Sequence, residues 1–352
     1  MAVISYKCPN CDGELVFDPI TQNYKCAYCL SGFTQEELED MKPDVAGEQS
    51  EPVEQQSQGT QPEEAVIYAC PSCGAQIVTD STTVATFCYY CHNPVVLSGR
   101  LSGDFLPDKI IPFAIDQKQA EQRFLEFVHS KKFVPRAFFQ KRQIEKLSGV
   151  YFPYWVYECT MEGSMDAQGT NIRVWRSGDV EYTETKYYQV EREGTLTLSN
   201  LTQNALNKAN RKLAEGVLPY DLTQVKDFHM GFLSGFQAEK RDVESESLRQ
   251  QTEQEVKGYG KQLLRDTIGG YSGVTVNSHQ EKILAETWSY VLLPVWTLTY
   301  RGKNGKLYYY SMNGQTGKIY GELPIDYGKV AILGGIVAVV VLAIFLIGGY
   351  LI

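Results

Sequence analysis

Cysteines occur in this chain in two sets with identical spacing. Each set is a Cys-x2-Cys pair, 14 intervening residues and a second Cys-x2-Cys pair, and the second set starts 62 residues after the first. This spacing lets a short hairpin bring two tight turns together, so that four sulfur atoms form a tetrahedron. The chain is therefore predicted to hold two four-cysteine metal sites. Their ligands are Cys8, Cys11, Cys26 and Cys29 in the first site, and Cys70, Cys73, Cys88 and Cys91 in the second.

Zinc is the metal that these ligands predict. Zn²⁺ accepts four thiolates without redox change, and a site filled by four protein ligands has no open position for water or substrate. Both sites are therefore predicted to be structural. Disulfides are the alternative use of eight cysteines, but the N-terminus "MAVISYKCPN" has no signal peptide and indicates a reducing compartment. An iron–sulfur cluster also uses four cysteines, and the sequence leaves that alternative open.

The last 23 residues, 330–352, carry no charge. At about 1.5 Å per residue, a helix of this length spans roughly 34 Å, which suffices for a hydrocarbon core of about 30 Å. Tyr327 and Lys329 precede the segment as interfacial anchors. The sequence predicts one transmembrane helix, with the rest of the chain in the cytoplasm, where cysteines stay reduced. Small residues in the helix would let two copies approach closely, so a homo-oligomer stays open.

Composition divides the remainder of the chain. Residues 1–33 and 65–100 are predicted to be zinc ribbons, each too small to hold a core without its metal. Between them, residues 34–64 contain ten acidic residues, six Gln, one Lys and no aromatic residue. That composition is typical of a disordered acidic linker. Any larger core must come from residues 104–327.

Residues 104–327 show the patterns of both helices and strands. Helices are predicted in "DQKQAEQRFLEFVHSKKF" and at residues 137–147, 200–213 and 241–264, and strands in the aromatic-rich segments between them. The region is therefore predicted to be an α+β cytosolic domain.

One short motif occurs twice in this domain. Pro153 and Trp155 recur as Pro294 and Trp296, each in a strand-like segment, which indicates a duplicated unit. The ninth cysteine, Cys159, is interpreted as a buried packing residue. The predicted fold class is α+β, with two small four-cysteine zinc ribbons, a larger domain built from a duplicated helix-plus-strands unit, and one C-terminal transmembrane helix.

Charge disfavours a nucleic-acid function. Residues 1–33 carry two Lys and three acidic residues, residues 65–99 carry one Asp and no Lys or Arg, and each zinc site would add two negative charges. Binding to phosphates requires Lys and Arg. The one dense basic run could form a patch for nucleic acid or lie near anionic lipid headgroups. It comprises Lys131, Lys132, Arg136, Lys141, Arg142 and Lys146.

No catalytic motif stands out in the sequence. The segment "NGQTGKIY" resembles a phosphate-binding loop, but it lacks the first Gly and the Ser or Thr after Lys318. Asn313, Gly314 and Gly317 are instead interpreted as turn residues between two strands. The chain is therefore predicted to be non-enzymatic.

Several segments together carry a family resemblance. They are the knuckles "CPNC" and "CAYC", the segments "LSGVYFPYWVYE", "LSGFQAEKRDVE" and "SMNGQTGKIYGELP", and the terminal apolar span. Over most of its length the chain resembles a family of bacterial membrane-anchored, double-zinc-ribbon proteins, the YdjG-like proteins of Gram-positive bacilli. Members are often labelled TFIIB-type zinc-ribbon, primosomal or helicase-like proteins, although this chain has no helicase motor motif.

The resemblance implies a role beside phage-shock proteins of the PspA type in the response to envelope stress. The membrane protein would then be a dock for a peripheral protein partner. We therefore expect a tail-anchored, non-enzymatic adaptor on the cytosolic face of a bacterial membrane, in contact with the lipid bilayer. The alternative is a nucleic-acid-associated membrane zinc-ribbon protein.

Overall fold

The structure is a computed structural model that describes ten parts of the chain. These are residues 3–40, 44–46, 66–69, 76–79, 83–87, 94–97, 105–135, 147–207, 215–301 and 306–350. They fall into two compact units. Unit 1 comprises Met1–Phe152, Asn207–Lys240 and Leu292–Ile352, and unit 2 comprises Pro153–Leu206 and Arg241–Val291. The single domain predicted for residues 104–327 is thus divided between two units, and the first cysteine set lies in the same unit as much of that domain.

Within the described ranges the chain forms seventeen strands and four α-helices. The strands are β1 (Val3–Ser5), β2 (Leu15–Asp18), β3 (Asn23–Cys26), β4 (Gly32–Phe33), β5 (Asp44–Ala46), β6 (Val66–Ala69), β7 (Gln76–Thr79), β8 (Thr83–Phe87), β9 (Pro94–Val96), β10 (Lys109–Ile110), β11 (Ser148–Ser177), β12 (Val180–Asn204), β13 (Lys226–Asp227), β14 (Gln237–Glu239), β15 (Gly273–Arg301), β16 (Leu307–Asn313) and β17 (Ile319–Gly321). The helices are α1 (Gln35–Asp40), α2 (Gln117–His129), α3 (Ser245–Asp266) and α4 (Tyr327–Tyr350). The mixed content confirms the α+β class.

In unit 1, strands from distant parts of the sequence pair with one another. β1 pairs antiparallel with β5 and with β9, β9 pairs with β8, and β8 pairs with β14. β14 lies parallel to β11 at Val150 and Tyr151. Strands β8 and β9 come from the segment predicted to be the second ribbon. That segment therefore contributes to a larger sheet, while β6 and β7 form a separate hairpin.

The predicted acidic linker has an ordered beginning. The Thr34 hydroxyl accepts a hydrogen bond from the Glu37 backbone N–H at 3.3 Å, and the Glu37 carboxylate accepts one from the Thr34 N–H at 2.7 Å. This reciprocal pair is a capping box, which starts α1. Leu38 in α1 is fully buried. The linker boundary predicted at Thr34 therefore differs from the structure, because the average composition of residues 34–64 concealed a local helix start.

Helix α2 confirms the helix predicted from the segment "DQKQAEQRFLEFVHSKKF". Asp116 and Gln119 form a capping box at its N-terminus. Its buried residues recur every fourth position, and Phe124 packs edge-on against Tyr310 of β16 with ring centres 4.9 Å apart. The helix predicted at residues 137–147 lies outside the described residues except for Leu147.

The turn between β16 and β17 confirms the interpretation of "NGQTGKIY" as a hairpin. The Asn313 side-chain oxygen accepts hydrogen bonds from the Gln315 and Thr316 N–H groups at 2.9 and 2.8 Å. Gly317 takes a φ of +79°, which side chains rarely adopt. These residues therefore shape a tight connection.

Unit 2 contains a long hairpin, β11 and β12, covered on one face by α3. From residue 158 of β11 onward, residues 159, 161, 165 and 167 are buried while 158, 162 and 168 are exposed and 160, 164 and 166 are half-buried, the alternation expected of a half-buried strand. Helix α3 buries Thr252, Val256, Gly260 and Leu264, one residue per turn. This narrow stripe explains why a helix with so polar a sequence packs on the sheet. Cys159 is buried in this core, as predicted.

Close packing in unit 2 depends on two glycines. A Cβ on Gly163 of β11 would lie 2.8 Å from Leu264, and one on Gly260 of α3 would lie 2.8 Å from the Met161 sulfur. Real side chains do not tolerate such distances. The two glycines therefore let α3 approach the sheet.

The helix predicted at residues 200–213 is wrong for residues 200–204, which belong to β12. The register of the hairpin shifts here, since Tyr157 pairs with Leu201 and Cys159 with Leu198. Asn200 takes a φ of +66° at this bulge. Because Asn tolerates that conformation, it serves the bulge and does not start a helix. Residues 208–213 lie outside the described residues.

The two Pro-x-Trp motifs lie in the two longest strands, β11 and β15. The Trp155 indole donates a hydrogen bond to the Val243 carbonyl at 2.9 Å, and the Trp296 indole donates one to the Ile115 carbonyl at 3.0 Å. Each long strand is preceded along the chain by a helix, α2 or α3. The duplicated unit stays a prediction.

Candidate metal centre

The first cysteine set lies on two turns of a small ribbon. Strands β2, β3 and β4 form a three-stranded antiparallel sheet. Cys8 and Cys11 lie on the turn that precedes β2. Cys26 ends β3, and Cys29 lies on the turn that leads to β4. The sheet thus brings two sequence-distant cysteine pairs to one end of the ribbon.

The two turns have matching backbone hydrogen bonds. The Cys8 N–H donates to the Gly13 carbonyl at 2.6 Å, and the Cys26 N–H donates to the Ser31 carbonyl at 2.9 Å. In both cases the acceptor lies five residues further along the chain. In the first turn the Asp12 N–H donates to the Cys8 carbonyl at 2.8 Å, and in the second turn the Leu30 N–H donates to the Cys26 carbonyl at 3.2 Å. Both turns are therefore the same knuckle.

The knuckle geometry directs backbone N–H groups at sulfur. Asp12 and Leu30, each directly after the second cysteine of a pair, take φ values of +60° and +63°. The sulfur of Cys26 accepts a hydrogen bond from the Tyr28 N–H at 3.4 Å. The Asn10, Gly13 and Ser31 N–H groups likewise favour the thiolate forms of Cys8, Cys11 and Cys29, the cysteines two residues before them. Such donors stabilise thiolates.

The four sulfur atoms are placed as a metal site requires. All lie within 4.8 Å of one another. The Sγ atoms of Cys8 and Cys29 are 3.5 Å apart, and so are those of Cys11 and Cys26. A tetrahedron with Zn–S bonds of about 2.3 Å has sulfur atoms about 3.8 Å apart. The donor set and its spacing therefore fit zinc, held by Cys8, Cys11, Cys26 and Cys29.

The thiols of this cluster differ in their electrostatic surroundings. Burial raises the pKa of the Cys8 thiol. At Cys29, a hydrogen bond with the Ser31 hydroxyl, 3.2 Å from the sulfur, lowers the pKa to about 6. A bound dication would hold all four groups as thiolates. If all four cysteines bind one ion, no position would stay open for water or substrate, which would make the centre a structural one.

At Gly13, glycine is needed because there is no room for a Cβ, and not because the backbone is left-handed. Only Asp12 and Leu30 in the knuckles have positive φ among the described residues. A Cβ on Gly13 would lie 2.5 Å from the Tyr28 ring and 3.2 Å from the Cys26 sulfur. The Tyr28 ring therefore covers Gly13 beside the metal ligands.

The ribbon packs against residues 229–236 of the same unit. Phe17 of β2 is buried, with its ring centre 5.3 Å from that of Phe232. Its N–H donates to the Ser234 carbonyl at 3.0 Å, and the Ser234 hydroxyl donates to the Leu15 carbonyl. A ribbon joined to the rest of the chain only through the predicted linker at residues 34–64 would lack these contacts. The first ribbon is instead part of unit 1.

The second knuckle carries two exposed apolar side chains. Tyr28 is 70% exposed and Leu30 is 67% exposed, although both belong to the turn that holds Cys26 and Cys29. Neither Leu30 nor Ser31 belongs to a motif that predicted a functional role. Ser31 lies two residues after Cys29, as Gly13 lies two residues after Cys11. This equivalence of position was the sequence pattern that could have indicated a role for Ser31 beside the cysteines.

Other predicted site residues lie partly beyond the described chain. Cys70, Cys73, Cys88 and Cys91 lie outside the described residues, so the second metal site stays a prediction. In the basic run, Lys131 and Lys132 are described and exposed. Arg136, Lys141, Arg142 and Lys146 lie outside the described residues.

Helix α4 is long and apolar enough to cross a membrane. Its window Tyr327–Ile344 has a mean hydropathy of 2.3, and none of it is buried. Tyr327 is exposed, while the Lys329 ammonium donates a hydrogen bond to the Val134 carbonyl at 2.7 Å. The first turn of the helix is thereby fixed to unit 1.

Fold and site together define a class of protein. It is an α+β protein with a four-cysteine cluster suited to a metal and one apolar C-terminal helix long enough to span a bilayer. Among curated proteins, the chain is 32% identical over 353 residues to "Uncharacterized protein YdjG" of Bacillus subtilis (strain 168), with 99% of each chain covered. The chain belongs to the YdjG family. No family model and no solved structure matches it.

Proposed function

We propose that the protein is a tail-anchored, non-enzymatic adaptor at the cytosolic face of a bacterial membrane. In this proposal, zinc rigidifies the first ribbon, and the ribbon presents Tyr28 and Leu30 to a protein partner. The single observation that carries the proposal is the exposure of these two side chains on the turn that holds Cys26 and Cys29, two of the four clustered cysteines.

Exposed apolar groups on a rigid turn favour protein recognition. Aromatic residues are enriched among the few interface positions that dominate binding energy. A rigid knuckle also loses little conformational entropy when a partner binds. A solvent-exposed tyrosine and leucine on one turn therefore make a compact docking surface.

Charge supports a protein partner over nucleic acid. Lys7 lies just before the first knuckle, and its ammonium pairs with the exposed Asp12 carboxylate at 3.8 Å. The positive charge of Lys7 is therefore neutralised by Asp12. A zinc ion held by four thiolates would add two negative charges. A nucleic-acid partner would need a basic surface here.

Orientation and partner identity belong to the same proposal. The proposal has the ribbons in the cytoplasm, because thiolate ligands persist in a reducing compartment, and α4 in the membrane, because of its length and composition. The second cysteine set is proposed to hold a second zinc ion. A PspA-type envelope-stress partner stays a prediction from the family resemblance.

The test is capture of partners by the intact chain extracted from membranes in mild detergent. Tyr28→Ala combined with Leu30→Ala should weaken capture of a specific protein about thirtyfold, the effect typical of a strong interface position. Ile20→Ala is the matched control, because Ile20 is also apolar and 53% exposed but lies at the other end of the ribbon. Zinc content should be unchanged in both variants, because all four ligands remain.

Two results would contradict the proposal. One is that the control variant loses the partner as strongly as the knuckle variant. The other is salt-sensitive recovery of DNA or RNA without a stoichiometric protein, which would favour the nucleic-acid alternative.

A further inference from the structure

A pocket of about 470 Å³ lies beside the start of α4. Its apolar walls come from Phe127 at the end of α2, from Phe133, and from Leu323 and Ile325 just before α4. Ile325 is 54% exposed. The volume falls in the range of about 300–1,000 Å³ that small-ligand sites occupy. The pocket is therefore large enough for a small amphipathic group.

The polar part of the pocket wall is basic. Ser130, Lys131 and Lys132 all line it. The Lys131 ammonium lies 5.3 Å from the centre of the Phe127 ring, a cation–π distance that places the charge at the pocket wall. A group with an anionic end and an apolar end would match this lining.

Acidic residues near the pocket have other partners. Glu322 pairs with Lys306, with 3.5 Å between carboxylate and ammonium. The Asp326 carboxylate accepts hydrogen bonds from the Gly328 and Lys329 N–H groups at 3.1 and 3.4 Å, which caps the first turn of α4. These contacts offset the acidic charge without using Lys131 or Lys132.

The pocket is fixed to the start of the apolar helix. The Asp326 N–H donates to the Phe133 carbonyl at 2.7 Å, and Lys329 holds the Val134 carbonyl. Ile325 lies two residues before Tyr327, a distance of at most about 7 Å along the chain. If α4 spans a bilayer, the pocket opens at the level of the lipid headgroups.

We propose that this pocket binds the headgroup of an anionic phospholipid. Lys131 and Lys132 contact the phosphate, and the walls formed by Phe127, Phe133 and Ile325 contact the glycerol and the first acyl carbons. A membrane lipid suits the site better than a soluble anion, because most of the wall is apolar and the opening adjoins the helix. The inference rests on the anchoring part of the proposed function and is independent of the ribbons.

The test measures which lipid the intact chain retains. The chain is reconstituted into nanodiscs of equal parts phosphatidylcholine and phosphatidylglycerol, and bound lipid is counted by native mass spectrometry after detergent release. We expect phosphatidylglycerol to be preferred about thirtyfold. This corresponds to about 2 kcal/mol at 1.4 kcal/mol per tenfold, or about 1 kcal/mol for each lysine near an anionic surface.

Two variants separate the site from general charge. Lys131→Gln with Lys132→Gln should abolish the preference. Lys118→Gln, on the exposed face of α2, is the control and should retain it. Preference that survives the double variant, or that is absent from the unaltered chain, would overturn the proposal. So would displacement of the lipid by glycerol phosphate at equal concentration, which would indicate a site for soluble anions.

Anchoring is measured separately by flotation with vesicles of pure phosphatidylcholine. A chain that floats but shows no lipid preference refutes the pocket proposal alone. A chain that does not float refutes both the pocket proposal and the anchoring. Lipid preference should persist in the chain with Tyr28→Ala and Leu30→Ala, which keeps all four cysteines of the ribbon. Loss of a protein partner with lipid preference intact would therefore test the adaptor proposal without testing the pocket.

Discussion

Phe17→Ala should loosen residues 229–236 as well as the ribbon. Phe17 is buried, and its ring contacts Tyr24 and Phe232, with ring centres 5.6 and 5.3 Å apart. Truncation of a buried phenylalanine costs about 3–5 kcal/mol, and each aromatic contact contributes about 0.5–1.5 kcal/mol of this beyond its area. The metal ligands are untouched, so zinc content should stay the same.

Hydrogen exchange of the intact chain in detergent is the assay. A loss of 3–5 kcal/mol corresponds to about a hundredfold to several-thousandfold faster opening. We expect this acceleration at Gly231, Phe232 and Ser234 as well as in β2. Ile20→Ala, in the same ribbon but exposed, should leave exchange unchanged. Faster exchange confined to the ribbon would refute the reasoning, because it would show that the ribbon opens independently of the segment against which it packs.

Three further predictions concern the metal and unit 2. Gly13→Ala should weaken zinc binding about tenfold in a competition titration with a chromogenic chelator, because its Cβ would lie 2.5 Å from the Tyr28 ring and the turn must shift. Acidification should release zinc. Bound zinc lowers the pKa of the cysteine thiols, so the stability that the metal gives to the ribbon is present at neutral pH and is lost as the pH falls. The amount of zinc bound should therefore fall steeply with proton concentration. Arg241→Met should destabilise unit 2 by about 2 kcal/mol or more in urea unfolding, because the buried guanidinium lies 5.0 Å from the Trp155 ring and 5.5 Å from the Tyr290 ring.

The clustering of the first cysteine set could be predicted because its spacing pattern is local. Cys8 and Cys11 are separated by two residues in one turn, and the spacing to Cys26 is set by one hairpin. Helix α2 was predictable for a similar reason, since its capping box and its apolar stripe lie within one short segment. Wherever a few consecutive residues determine the structure, the pattern was sufficient.

The packing of the ribbon could not be read in this way. Phe17 and Phe232 are far apart in sequence, and an alternating strand shows that one face is buried without showing what covers it. The division into two units escaped prediction for the same reason, because each unit is assembled from separate parts of the chain. The bulge at Asn200 was misread because its left-handed conformation depends on pairing with β11, a contact that local propensity does not encode.

The fixed ribbon changes how an adaptor of this kind would work. A module on a flexible tether gains affinity from its high effective concentration near the membrane. Here Phe17 and Ser234 hold the first ribbon within unit 1, and Lys329 holds the first turn of α4 within the same unit. Tyr28 and Leu30 are therefore presented on a body that is itself joined to the apolar helix. Recognition by such a surface would depend on its preorganisation and not on the length of a flexible tether. The conformational entropy of the ribbon is already lost when the chain folds, so little more is lost when a partner binds.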